Sequence, residues 1–342
     1  MLETRIYPLE KQQTSDNELP PFPNGWYAAC SSDQLKKGQL ISKKFCGHDI
    51  VLFRTESGVA AAVDAYCPHM GAHFAHGGNV QGETIRCPFH DFCFDVNGNC
   101  TSTGYGTKPP PKAILRSWKL QEKNGFVLVW FHADGQDYDW EIPEVDFKGW
   151  GPLITTEWEL KSHPQETSEN SVDIGHLSIV HGYSNVEMLT ELIIDKHYLY
   201  AKYAMHRKAD FFGNPKHLVR TEFHVHVFGL GYSYVEVSIP QYNLHFRNYV
   251  QPTPVDGDKI LLRIGSNMKD IETPGKINPF LNIIPKSILN NLISKISFKT
   301  YAHDVAQDFE VWKNKIYIAQ PALAKGDGPI GKYRQWARQF YS

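Results

Sequence analysis

Two short segments hold the most specific chemistry in this chain: Cys67-Pro68-His69 and Cys87-Pro88-Phe89-His90. Seventeen residues separate His69 from Cys87, and each segment offers one thiolate and one imidazole behind the same Cys-Pro step. Two thiolates on one iron and two imidazoles on the other hold a [2Fe–2S] cluster. Imidazole is neutral where thiolate is anionic, so such a cluster is less negative and takes up an electron more readily. The prolines stiffen both loops and remove backbone donors beside the ligands. Tetrahedral zinc also accepts two Cys and two His, but zinc fingers pair Cys with Cys and His with His. A red-brown colour and a rhombic EPR signal on reduction separate the two.

A cluster of this Rieske type moves single electrons, so a second site must do the chemistry. The run Glu169-Asn170-Ser171-Val172-Asp173-Ile174-Gly175-His176 and on to His181 offers one. Two imidazoles and one carboxylate make the facial triad of non-haem Fe(II) oxygenases, which leaves positions open for O2. His176 and His181 are five apart, slightly off one helix face unless the turn is distorted or ending. Asp173, one turn before His176, can accept its imidazole N–H or reach a cluster histidine. Asn170 is a weaker second supporting residue, or simply a helix cap. The third ligand lies elsewhere, best in Tyr301 to Trp312, where Asp304, Asp308 and Glu310 are candidates. Val305, Phe309 and Trp312 form an apolar stripe at helical spacing, and Asp308 beside Phe309 can point inward.

The elements that must position these residues fall into two patterns. From 24 to 133, short strands alternate with turns such as Gly47-His48-Asp49, Asn97-Gly98 and Asn124-Gly125, which predicts a small all-β domain. Residues 1–23 read as a flexible, Pro-rich arm, and Asp134-Gly135-Gln136-Asp137 with Pro143 as the boundary. From 134 to 342, residues 191–268 alternate apolar and polar with period two, while 168–182, 279–299 and 302–318 carry helical spacing. The second domain is therefore α+β, one antiparallel sheet with helices over a face, of the helix-grip or START-like kind. Tyr203, Phe223, Phe228, Tyr232, Tyr234 and Phe246 suit an apolar cavity, though such residues are more often plain core. His224 and His226 alternate on a strand, one facing solvent and neither binding metal. Phe280 to Ile296 carries a broad apolar stripe opposite Lys286, Asn290, Asn291 and Lys295: a packed helix, a cavity lid, or a face on a lipid membrane.

Composition narrows the class. The formal net charge of −2 argues against nucleic-acid binding. No apolar run spans a bilayer, and residues 1–23 lack a signal core, which places the protein in the cytoplasm, with peripheral membrane contact as the variant. Cys30, Cys46, Cys93 and Cys100 are read as free, buried thiols of a reducing compartment. No Gly-rich dinucleotide fingerprint follows a strand, so reducing equivalents arrive from outside.

At these residues the chain resembles the oxygenase component of the Rieske non-haem iron oxygenases. Cys-Pro-His…Cys-Pro-x-His, Glu-Asn-x-x-Asp-x-x-His-x-x-x-x-His and Gln-Asp-x-x-x-Trp match in order over about 24–342. Gly326-Asp327-Gly328-Pro329-Ile330 with Tyr333-Arg334-Gln335-Trp336 is similar to the branch holding 3-ketosteroid 9α-hydroxylase and cholesterol 7-desaturase. Met70 stands where many members have Arg, and Phe92 where many have Trp. The resemblance implies Cys67, His69, Cys87 and His90 on the cluster and Asp308 as third ligand with His176 and His181. It implies NAD(P)H electrons through a separate reductase or ferredoxin, and a homotrimer in which Asp173 meets a neighbour's cluster histidine, His90. The substrate class implied is a bulky apolar one, a sterol or steroid, hydroxylated or desaturated; oxidative demethylation or hydroxylation of an aromatic metabolite is the alternative. A plain electron carrier is the alternative of another class, and would hold two iron ions per chain rather than about three.

Overall fold

A computed structural model describes residues 18–208 and 218–342. Most of the arm expected over 1–23 lies outside them. Residues 20–23 are packed down instead: the Phe22 ring meets Phe131 edge-on at 6.0 Å and the Tyr27 hydroxyl donates to Pro23 O.

The first part is all β. Its strands are β1 (Gly25–Ser31), β2 (Leu40–Phe45), β3 (His48–Arg54), β4 (Ala60–Asp64), β5 (Asn79–Gln81), β6 (Thr84–Arg86), β7 (Cys93–Phe94), β8 (Cys100–Ser102), β9 (Ser117–Trp118), β10 (Leu120–Lys123) and β11 (Phe126–Phe131). They form three antiparallel sheets, ordered β1-β11-β10, β2-β3-β4-β9 and β5-β6-β7-β8. The β2–β3 turn is tighter than expected. Cys46 and Gly47 both have positive φ, the two-residue hairpin geometry, so His48 and Asp49 already belong to β3. Asn124-Gly125 turns in the same way, as its sequence predicts.

The second part is built on one antiparallel sheet. Its elements are β12 (Ile154–Lys161), α1 (Pro164–Glu169), α2 (Gly175–Ile179), β13 (Ser184–Met188), β14 (Ile193–Asp195), β15 (Tyr198–Lys208), β16 (Leu218–Phe228), β17 (Tyr232–Ile239), β18 (Leu244–Pro254), β19 (Lys259–Met268), α3 (Lys286–Ala306), α4 (Phe309–Asn314) and α5 (Ile330–Ala337). The strand order is β12-β19-β18-β17-β16-β15-β13, with β14 also on β15. Two helical readings change here. Residues 168–182 are two short helices with a turn between, and 279–318 is a 3-10 turn (Pro279–Ile283), the long helix α3 and, past a break at Gln307-Asp308, the short α4.

Each face of this sheet has its own partner. Tyr232, Tyr234, Phe228 and Tyr249 pack on Trp26, Ala28, Phe126 and Leu128 of the first part. Leu199, Ala201, Tyr203 and Met205 face the other way, under α5. The six aromatic residues expected around a cavity are therefore split: Tyr203, Phe223 and Phe246 line it, while Phe228, Tyr232 and Tyr234 are on the inter-domain side. β1 and β11 are buried on both faces, which explains why Gly-Trp-Tyr-Ala-Ala-Cys-Ser shows no alternation.

Arg263 locks the seam. It is 1% exposed, donates to Ala28 O at 2.6 Å and pairs with Glu157 at 2.5 Å. Thr253 donates to the same carbonyl at 2.9 Å. Arg263→Leu removes one of that carbonyl's two donors and the hydrogen-bond partner of Glu157. It is expected to lower stability by about 3 kcal/mol, read as a drop in thermal midpoint, whereas the exposed-pair variant Lys259→Gln should shift it by less than about 1 kcal/mol.

Candidate metal centres

The two Cys-Pro loops fold alike. Cys67 N–H donates to Ala72 O, and Cys87 N–H donates to Phe92 O, five residues on in each case. Both loops need a left-handed residue at the same place, supplied by Gly71 and Asp91. The two thiols are buried and within hydrogen-bonding reach of each other. Burial pushes the Cys67 thiol up to about 12, so a thiolate there needs a cation beside it. The His69 and His90 rings lie 4.8 Å apart, and Nδ1 of His90 is buried with no hydrogen-bond partner. Two thiols, two imidazoles and an orphaned ring nitrogen turned inward are the donor set of the cluster anticipated from the sequence. Phe92 stacks on His69 at 4.2 Å and 9°, so the ring that replaces Trp keeps a flat wall beside the imidazole. Cys93 is buried, but Cys100 is half-exposed, and all six cysteines are free.

The second centre forms where α1, α2 and the α3–α4 break meet. His163 caps α1 by accepting from Gln165 N–H, and Pro164 opens it. Glu169 ends α1 and is held bidentately by Arg334, at 2.6 and 2.8 Å. The chain then turns through Asn170 to Asp173. The turn lies beneath the C-terminal run: Ile174 N–H donates to Asp327 O, and a Cβ on Gly328 would sit 2.4 Å from Val172 O. Gly328 is thus needed for close approach over the site loop.

His176, His181 and Asp308 each offer a ligand atom, and those atoms lie within 4.8 Å of one another. The two rings are 5.2 Å apart, because α2 ends between them at Ile179. Asp308 is 7% exposed, sits where α3 breaks, and does not cap α4, so its carboxylate is free to reach His181 Nε2 at 3.6 Å. Burial raises its pKa, while His181, His176 and the Asn170 side chain pull it down. A buried carboxylate between two imidazoles fits a divalent metal ion. Asp304 is committed elsewhere: it accepts from the Tyr183 hydroxyl at 2.9 Å and pairs with Arg207 at 3.4 Å. Glu310 faces solvent beside Lys313.

Asp173 lies 3.6 Å from Nδ1 of His176 and accepts its backbone N–H. Burial raises the Asp173 pKa, but hydrogen bonding and charge from His176 outweigh it and hold the carboxylate below its usual range. Gln307, the first residue of the Gln-Asp-x-x-x-Trp motif, was given no role of its own from the sequence, but it touches the site. Its Oε1 lies 2.8 Å from His181 Nδ1, so the Nδ1–H tautomer of His181 donates to it and turns the Nε2 lone pair toward a metal ion held with Asp308. His224 and His226 are bonded to Tyr200 and Tyr198, so neither is a free solvent-facing imidazole.

A cavity of about 660 Å³ opens at this centre. Its walls are mostly apolar, from Met205, Val225, Val237 and Phe246 on the sheet to Ile296 on α3. Asn248 and Ser266, bonded to each other at 2.7 Å, are polar groups on its floor.

Residues 25–118 match the Rieske [2Fe-2S] domain, and residues 129–341 match the 3-ketosteroid 9alpha-hydroxylase C-terminal domain. The chain is 30% identical to cholesterol 7-desaturase of Bombyx mori, over 94% of this chain and 70% of that one. It is 31% identical to a Ciona intestinalis cholesterol 7-desaturase, over 98% and 72%. It is 26% identical to the oxygenase component of 3-ketosteroid-9-alpha-monooxygenase of Rhodococcus rhodochrous, over 94% and 81%. Dicamba monooxygenase bound to dicamba shares the fold at TM-score 0.66 and 17% identity, over 93% of this chain and 97% of that one. NdmA of Pseudomonas putida CBB5 with caffeine does so at TM-score 0.68 and 17% identity, over 92% and 89%.

Gln307→Leu removes the acceptor that orients His181. It is expected to weaken Fe(II) binding roughly 10–100-fold, measured as iron retained at fixed free Fe(II), while the visible absorbance of the cluster is unchanged.

Proposed function

The chain belongs to the Rieske non-haem iron oxygenases, in the family of the 3-ketosteroid 9α-hydroxylase C-terminal domain, and from that membership we propose that it hydroxylates or desaturates a sterol or 3-ketosteroid. In this reading residues 24–133 hold the cluster through Cys67, His69, Cys87 and His90, and residues 134–342 hold one iron through His176, His181 and Asp308. When bound, the cluster supplies single electrons and the mononuclear iron activates O2.

The observation that carries the substrate class is the cavity. At about 660 Å³ it falls within the ~300–1,000 Å³ usual for ligand sites, and its apolar walls suit a fused-ring hydrocarbon. The triad lines this same space, so a ring carbon is brought to the metal by shape and desolvation alone. Asn248 and Ser266 offer hydrogen bonds to an oxygen function at one end of such a substrate. Asn170 and Gln307 hold Asp308 and His181 in place, and Asp173 orients His176. The curated relatives act on cholesterol and 3-ketosteroids by name, which supports the same class here.

Electrons come from NAD(P)H through a separate reductase or ferredoxin, as the naming of the Rhodococcus relative as an oxygenase component supports. We further propose a homotrimer. Within one chain the eight-stranded sheet stands between the cluster domain and the cavity, so its own cluster is on the wrong side. Around the cluster imidazoles Met70 is 65% and Phe89 59% exposed, an apolar rim that suits contact with another protein surface. Asp173, partly exposed beside His176, is the natural meeting point for His90 of a neighbouring copy.

Incubation of the holoprotein with a surrogate reductase, O2 and a panel of sterols and 3-ketosteroids is expected to give mono-oxygenated or dehydrogenated products by mass spectrometry. Oxidation of small aromatic compounds with none of the panel would overturn the substrate class. His176→Ala is expected to keep the red-brown cluster and lose turnover entirely; retained turnover would show the second centre to be misassigned.

A further inference from the structure

The long helix α3 carries one broad apolar stripe. Leu289 and Ile293 are buried against Val237, Leu244 and Met268. On the adjoining flank, about 100° round the helix, Ile288, Leu292 and Ile296 follow at four-residue steps and are exposed. The segment before the helix adds Phe280 at 79% and Ile283 at 83% exposure. Ile296 lines the cavity, but Phe280, Ile283, Ile288 and Leu292 belong to no packed cluster of the described residues, and a patch of this kind marks a contact surface.

Charge says what the contact is. From Gly275 to His303 there are four lysines, Lys276, Lys286, Lys295 and Lys299, and no Asp or Glu, in a chain whose net charge is −2. All four lysines are exposed, and among the described residues none has a carboxylate partner. Asp270, bonded to Asn290, and Glu272, whose carbonyl accepts from Lys286, stand just before this stretch; an exposed apolar stripe whose own charged residues are all lysines still suits the headgroup region of an anionic bilayer. A second copy of the same patch would set lysine against lysine. The stripe also leads to the catalytic space, since Ile296, Ser297 and Lys299 line the mouth of the cavity.

We propose that the face formed by Phe280, Ile283, Ile288 and Leu292 rests on an anionic phospholipid surface, with Lys276, Lys286 and Lys295 on the headgroups. The cavity mouth beside Ile296 then opens toward the bilayer, and an apolar substrate enters without crossing water. Binding to the surface stands on the exposed residues themselves; only the entry route rests on the sterol reading, and vesicle binding is measured without substrate.

Co-sedimentation of the holoprotein with phosphatidylcholine vesicles, with and without phosphatidylserine, tests this. The wild type is expected to pellet with the phosphatidylserine vesicles and far less with phosphatidylcholine alone. The Phe280→Ser, Ile283→Asp double variant should stay in the supernatant with its cluster colour and thermal midpoint unchanged. Lys286→Gln and Lys295→Gln should each weaken binding about fivefold. A wild type that pellets with neither vesicle, or variants that bind as it does, would overturn the proposal. A fall in oligomer size on gel filtration for the double variant would overturn it too, by assigning the face to contact between copies.

Discussion

Side chains alternate across an antiparallel sheet, and here both faces of the sheet are covered by different partners. One face of β17–β19 takes the aromatic side chains of β1 and β11, with Arg263 and Thr253 fastened to a β1 carbonyl. The opposite face roofs the cavity and carries α3, α4 and α5. A one-residue slip anywhere along β18 would send Asn248 and Val250 to the seam, and Tyr249 and Gln251 into the cavity. Register in this sheet therefore decides both how the two parts dock and what the substrate meets.

That constraint also explains what could be read from the sequence. The candidate cluster ligands could be picked out together because each loop carries its Cys, its Pro and its His within four residues, so no long-range folding had to be guessed. His176 and His181 were legible for the same reason. Asp308 was not separable from Asp304 on spacing alone. Both lie on the helical pattern of Val305, Phe309 and Trp312, and the chain gives no local sign that α3 breaks between them. The break is tertiary: it lets Trp312 turn onto Ile260, Leu262 and Ile264 while Asp308 faces the histidines. The aromatic residues of the sheet, read as suiting a cavity or as plain core, could not be sorted between the two for a related reason. Period two says that Phe223 and Phe228 lie on opposite faces, but not that both faces are apolar.

The electrostatics of the second centre depend on which carboxylates already have partners. Asp304 is satisfied by Tyr183 and Arg207, and Glu169 by Arg334, so neither invites an ion. Asp308 is buried beside two imidazoles and the Asn170 amide, with no lysine or arginine paired to it among the described residues, and burial raises its pKa. Asp173, with His176 beside it, is held ionised. Of the acids near the cavity, Asp308 is thus the one whose charge the fold leaves uncompensated, and a cation at that point relieves the cost of burying it.

Distribution of polarity over the whole chain follows the same logic as the cavity. The acid-free stretch from Gly275 to His303 lies on the side of the sheet away from the cluster part, and its exposed apolar stripe ends at the cavity mouth. The exposed rim of Met70 and Phe89 belongs to the other end of the molecule, beyond the seam. The two-faced sheet thus holds these two exposed apolar surfaces apart.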